Sequence, residues 1–202
     1  MTVIGLTGGI ASGKSTLSAF ARDRGAHVID ADLLGHRAYE PGTACFNAVV
    51  SEFGRDIVAN DGSIDRRALS GKVFAEGSSL KRLTDIVWPA IKEMAQTEIA
   101  NVKRSEPDRT VVLEAAVLLE AGWQDFVDEV WVAVVDVETA ITRTMKRDGL
   151  DREAVQSRID AQLSNEARIA AADVVFDNSG TEADLLAEVA RKFEEIETRS
   201  AA

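Results

Sequence analysis

At 202 residues the chain fits one domain with room for an inserted subdomain, and it is long enough to bury about 70% of its unfolded surface without help from disulfides. An apolar share of 46% excludes a disordered chain, and a net charge of −11 argues against a protein that coats nucleic acid or clings to acidic membranes. The one cysteine, Cys45, can form neither an internal disulfide nor a multi-cysteine zinc site.

The chain opens on an apolar run at 3–7 with no basic flank, which reads as a buried strand rather than a targeting segment. No apolar run reaches the roughly 18 residues of a spanning helix. The expectation is therefore a cytoplasmic protein without membrane or nucleic-acid partners. Further strands are predicted at 27–30, 110–114, 129–136 and 173–177. Runs such as Val130-Trp131-Val132-Ala133-Val134-Val135 are apolar without alternation, as in a parallel sheet covered by helices on both faces. Helical periodicity covers 13–24, 31–38, 44–53, 65–74, 79–103, 137–147, 151–162 and 182–198, with fraying expected beyond. The second and third strands are separated by residues 31 to 109, nearly all helical, whereas a simple crossover needs only about a dozen residues. This stretch reads as an inserted helical subdomain, with turns at Glu40-Pro41-Gly42 and Asn60-Asp61-Gly62. The charge is uneven: 110–139 holds seven acids and no Lys or Arg, while 64–109 and 140–172 hold nine and six basic residues.

After the first strand comes Gly8-Gly9-Ile10-Ala11-Ser12-Gly13-Lys14-Ser15-Thr16, a full match to G-x-x-x-x-G-K-[ST], followed by an amphipathic segment with Leu17, Phe20 and Ala21. Gly8 and Gly13 let the backbone wrap a phosphate, and the loop N–H groups and the helix start then face the anion. Lys14 would bridge β- and γ-oxygens, and the Ser15 hydroxyl would ligate Mg²⁺. This pattern predicts nucleoside triphosphate binding. The dinucleotide signature G-x-G-x-x-G is absent, and so is the Asn-Lys-x-Asp run of a guanine reader. A motor or transport ATPase wants an apolar strand ending in Asp-Glu, and neither Val111-Val112-Leu113-Glu114 nor 132–136 carries that pair.

A small kinase needs an acceptor-binding subdomain, an acid near the acceptor hydroxyl and a mobile basic segment, and candidates for all three are present. Asp30-Ala31-Asp32 follows the second strand, where a parallel sheet lines its ligand crevice. Asp32 could take a hydroxyl proton or orient a metal-bound water, and either acid could instead cap the next helix. Arg143, Lys146 and Arg147, then Arg152, Arg158 and Arg168, make a basic helix–turn–helix after the fourth strand. It reads either as a lid carrying arginine to the phosphoryl group or as a solvated helix pair laced by i,i+4 ion pairs.

These residues resemble the dephospho-CoA kinase family over roughly 2–196. The resemblance rests on the loop from Ile4 to Ser15, on Val28-Ile29-Asp30-Ala31-Asp32, on Glu40-Pro41-Gly42, and on Asp61-Gly62-Ser63-Ile64-Asp65-Arg66-Arg67-Ala68-Leu69. It continues with Phe53-Gly54, Val73-Phe74, Arg143 to Asp148, Ala161-Gln162, and Ala172-Asp173 to Asn178-Ser179-Gly180. Bacterial members usually have His-Pro where this chain has Trp88-Pro89, and Asp-x-Pro-Leu-Leu-x-Glu where it has Glu114-Ala115-Ala116-Val117-Leu118-Leu119-Glu120. Both features resemble the kinase half of the animal bifunctional CoA synthase.

The resemblance implies a P-loop fold like the nucleoside monophosphate kinases: a five-stranded parallel sheet flanked by helices, with a helical acceptor-binding insertion and a lid. The boundaries expected are a core of 1–32, 110–147 and 170–200, an insertion at 33–109 and a lid at 148–169. It implies transfer of the γ-phosphoryl of ATP to the ribose 3′-hydroxyl of dephospho-CoA, with Mg²⁺. Gly8, Gly9, Ala11, Ser12, Gly13, Lys14, Ser15 and Thr16 would hold phosphates, with Ser15 and Asp32 serving the metal. Asp32 would be the base and Arg143 the lid arginine. Arg147, Asn178 and Gly180 would lie on the nucleotide side, and Leu118, Glu120 and Trp88 on the acceptor side. A kinase for another small acceptor, or an ATP-binding switch without transfer, are the rival expectations.

Overall fold

The computed structural model describes residues 1–75 and 77–201. Six consecutive buried residues form the first strand, β1 (Val3–Gly8). Its neighbours are β3 (Val111–Glu114) and β4 (Glu129–Val134), both paired with it in parallel. Beyond them lie β2 (His27–Asp30) and β5 (Val174–Asp177), giving a five-stranded sheet in the order β2-β3-β1-β4-β5. The parallel sheet expected from the unalternating apolar runs is present. The fourth strand stops at Val134 rather than 136, because Asp136 turns its carboxylate to accept the Thr139 N–H at 2.9 Å and so begins the next helix. The strand order reverses about β1, which places the carboxyl end of this central strand at the crevice where ligands bind in such sheets.

The chain divides into two compact units, 1–29 with 99–202, and 30–98. In the first, the core lies between the sheet and two helices, α1 (Lys14–Asp23) and α9 (Glu182–Ala201). Ile4, Leu6, Trp131 and Phe176 from the strands meet Leu17 and Ala21 of α1 and Leu185, Val189, Phe193 and Ile196 of α9. The Trp131 ring stands edge-on to Phe176 and Phe193, with centroids 5.1 and 5.2 Å away. Phe176 is fully buried, so Phe176→Ala is expected to cost about 3–5 kcal/mol of stability, read as a lower urea midpoint at unchanged slope.

The same unit carries α6 (Val137–Asp148), α7 (Arg152–Asp160) and α8 (Asn165–Ala170). Asp136, Asp151 and Ser164 cap these three helices. The helix α8 escaped sequence reading because six residues are too few to show a period. Asp151 and residues 161–162, expected within α7, lie outside it: Asp151 is its cap and Ala161 its terminus. The last helix continues past 198 to Ala201.

In the second unit α2 (Ala31–Ala38), α3 (Ala44–Phe53), α4 (Arg66–Ala75) and most of α5 (Ser79–Ser105) bury Leu34, Val49, Phe53, Leu69, Val73 and Ile91. Asn60-Asp61-Gly62 turns the chain through a bridge between Val58 and Ile64. There the Asp61 carboxylate accepts both the backbone N–H and the hydroxyl of Ser63. Pro89 sits inside the long α5, where it removes one helical hydrogen bond next to the half-buried Trp88.

Candidate active site

The loop leaving β1 is held by contacts that dictate its residue types. A β-carbon on Gly8 would run into the Ala133 carbonyl oxygen and the Ser12 hydroxyl, and one on Gly13 would strike the Asn178 side-chain amide. Gly13 also has φ 96°, which favours glycine, and Ala11 is held at φ 54°, a left-handed conformation that costs an alanine roughly 1–2 kcal/mol. Asn178 clamps the loop: its Nδ2 donates to the Ser12 carbonyl at 3.0 Å, while its own N–H is fixed on Val134 O at 2.8 Å. The Lys14 ammonium lies on the loop itself, donating to the carbonyls of Gly8 at 2.9 Å and Gly9 at 3.2 Å.

The helix that follows is distinctive at its first turn. Side chains cap α2, α3, α6, α7 and α8, whereas α1 begins at Gly13 with none. An uncapped helix start behind a glycine loop is a ready anion site. The exposed Ser15 lies in this first turn. One turn further on, the buried Ser18 hydroxyl donates to the Glu114 carboxylate at 2.5 Å, bringing the acid at the end of β3 onto α1.

Beside the loop is a cavity of about 330 Å³ lined by Ala11, Gly13, Ser15, Thr16, Arg143, Arg147 and Asn178, so six expected loop and nucleotide-side residues and the lid arginine share one space. Among the described residues nothing hydrogen-bonds or ion-pairs with the half-buried Arg143. Arg147 is engaged by its neighbour: it grips Asp148 through Nε at 2.7 Å and Nη2 at 3.0 Å. Those bonds hold the Asp148 carboxyl below the usual carboxylate range. Gly180 is exposed and outside the cavity lining.

Gly9 and Ile10 face the segment after α7. The Ile10 N–H donates to Gln162 Oε1 at 3.0 Å, and Asn165 Nδ2 donates to Val135 O at 3.0 Å. Arg168 is buried beside Gly9, and its Nη2 stands 3.9 Å from Glu120 Oε1. Burial draws the Arg168 pKa down, against the pull of Glu120. Leu118 corrects an expectation. It is 0% exposed, its methyl group 2.9 Å from where a β-carbon of Gly5 would stand, so its side chain is core and cannot touch an acceptor.

In the second unit the two acids after β2 separate in role. The Asp30 carboxylate accepts the N–H groups of Asp32 at 2.8 Å and Leu33 at 3.1 Å, and so caps α2. Asp32, in the first helical turn, is exposed, and no hydrogen bond or ion pair among the described residues engages its carboxylate. Among the described residues no three His, Cys, Asp or Glu side chains gather to hold a metal alone. A single hydroxyl such as Ser15 suits Mg²⁺, which takes one or two protein oxygens and completes its shell with substrate phosphates and water.

The dephospho-CoA kinase family model matches residues 2–184. The chain belongs to the dephospho-CoA kinase family. It is 47% identical to the dephospho-CoA kinase of Geobacter sulfurreducens over 97% of each chain. Among solved structures, the dephospho-CoA kinase of Campylobacter jejuni superposes with a TM-score of 0.74 at 25% identity, covering 97% of both chains. A Thermus thermophilus structure reaches 0.80 at 32% identity, covering 96% of this chain and 97% of that one. Gln162 contacts the loop and Ser18 joins Glu114 to the helix behind it, and the sequence alone assigned none of the three a role. Gln162 was visible only as half of the family's Ala161-Gln162 pair, and Ser18 gave no signal at all.

Proposed function

We propose that this chain transfers the γ-phosphoryl group of ATP to the ribose 3′-hydroxyl of dephospho-CoA, the last step of coenzyme A synthesis. The observation that carries this reading is the Lys14 loop at an uncapped helix start, in a chain of this family. The names of its relatives support the acceptor.

In this reading Lys14 moves from the carbonyls of Gly8 and Gly9 onto the β- and γ-phosphate oxygens. The cavity beside Ala11, Thr16 and Asn178 takes the nucleotide, and Arg143 in its lining serves the transferring phosphoryl. Ser15 would hold Mg²⁺, and Asp32 would serve the same ion. When bound, the ion offsets charge on the β- and γ-phosphates. Asp32 accepts the proton of the 3′-hydroxyl as its oxygen attacks the γ-phosphorus and ADP leaves. Its carboxylate is available because Asp30 does the capping. Glu120 and Trp88 are the acceptor-side contacts, and Arg147 and Gly180 flank the nucleotide. Use of ATP in this synthesis goes with a cytoplasmic location. No helix among the described residues is long and apolar enough to cross a membrane.

An assay of ADP release tests the reading. Turnover with dephospho-CoA, and none with AMP or nucleosides, is the expected result. Release with another acceptor would make the chain a kinase of different specificity, and ATP binding without acceptor-dependent ADP would make it a switch. Arg143→Ala should slow single-turnover transfer by about a hundredfold or more and leave ADP affinity within about threefold, since the loop holds the phosphates of ADP. A wild-type transfer rate would leave Arg143 a surface residue.

A further inference from the structure

The phosphate loop separates two cavities. One holds Arg143. The other, of about 370 Å³, is lined by Gly9, Ile10 and Ser12 of the loop, by Arg168, and by the acids Asp160 and Glu166 among others. Arg168 is 2% exposed. Its Nη1 donates to the Leu163 carbonyl, and Nη2 reaches no closer than 3.9 Å to Glu120. Neither Nε nor Nη2 has a hydrogen-bond acceptor among the described residues. In the same cavity the Ser12 hydroxyl, 1% exposed, also lacks a partner.

Arginine keeps its charge in a protein interior, and a buried charge without full pairing destabilises the fold. An apolar side chain of similar volume is commonly the more stable choice at such a position. A retained guanidinium with N–H groups to spare and an unpartnered hydroxyl, on residues lining one cavity, are donors suited to an oxyanion. Glu120 stands too far off to be the missing acceptor, though near enough to keep the cation from being wholly uncompensated.

We propose that the Arg168 guanidinium and the Ser12 hydroxyl form a second oxyanion site on the Gly9–Ile10 flank of the loop, which receives a phosphoryl oxygen of a bound substrate. The proposal rests on the kinase reading above and adds to it a contact made by a residue buried in the core unit. The oxygen has two possible sources: the terminal phosphoryl of the triphosphate, or the diphosphate of dephospho-CoA. The free protein then carries a charge that only the bound protein completes, so the residue trades stability for recognition.

Thermal unfolding of wild type, Arg168→Met and Arg168→Gln, each alone and with ADP, the β,γ-imido analogue of ATP, or dephospho-CoA, tests this. Free Arg168→Met should unfold about 2–4 °C above wild type. Both variants should keep the ADP-induced shift. With the imido analogue, the extra shift over ADP seen in wild type should vanish in the variants, with affinity down about tenfold or more, if the oxygen is the terminal phosphoryl. Loss of the dephospho-CoA shift instead would identify the acceptor diphosphate. Arg168→Gln keeps the test open if the methionine variant misfolds. Variants that bind every ligand as wild type does, or that lose ADP binding in equal measure, would overturn the site. A wild-type protein stabilised by no nucleotide would overturn the kinase reading, and the site with it.

Discussion

Lys14→Ala is expected to reduce the rate of phosphoryl transfer by about a thousandfold or more while the protein stays folded. In the free protein the ammonium donates to the carbonyls of Gly8, which is buried, and Gly9, so its loss takes a donor from both acceptors. That should cost about 1–3 kcal/mol of stability. The rate penalty is larger because the charge that builds on the transferring group loses a cation placed for it, a change worth about 3–4 kcal/mol or more at preorganised sites. Single-turnover rates with saturating nucleotide, set beside the urea midpoint of the same variant, separate the two effects. Near-normal kcat would remove Lys14 from the reaction.

Asp32→Asn should lower kcat by about two to four orders of magnitude and raise the KM for dephospho-CoA by much less. Asparagine matches aspartate in shape and still accepts a hydrogen bond, so acceptor positioning survives while proton removal does not. Asp30→Asn is the informative contrast. Asparagine is also a good helix cap, and the Asp30 carboxylate is taken up by the N–H groups of Asp32 and Leu33, so this change should leave kcat within a few-fold and stability within about 0.5 kcal/mol. If Asp32→Asn altered KM alone, Asp32 would be a binding residue.

What could be read from the amino acids was whatever local rules control. The loop was legible because G-x-x-x-x-G-K-S has one backbone solution, in which Gly8 and Gly13 have no room for a β-carbon. The strands were legible because burial on both faces leaves no alternation. The capping acids were half legible: Asp30 and Asp32 are equally plausible caps by spacing, and only the geometry around Leu33 separates them. Leu118 was misread because a conserved-looking neighbourhood gave no hint of which way its side chain packs. Gln162 and Arg168 meet the loop across more than 150 positions of chain, and contacts at that separation leave no periodic trace. The buried state of Arg168 was likewise unreadable, since a basic residue on a short helix is solvated by default.

Ala11 carries a consequence for the kinetics of binding. A left-handed alanine, beside the Asn178 clamp on its neighbour Ser12, means the loop backbone holds a strained curvature before any nucleotide arrives. The entropy of shaping that backbone was lost during folding, so on nucleotide association the Lys14 side chain has to move but the loop backbone starts already ordered. Ala11→Gly would relax the strain and return that freedom to the loop, slowing productive capture without removing a single contact.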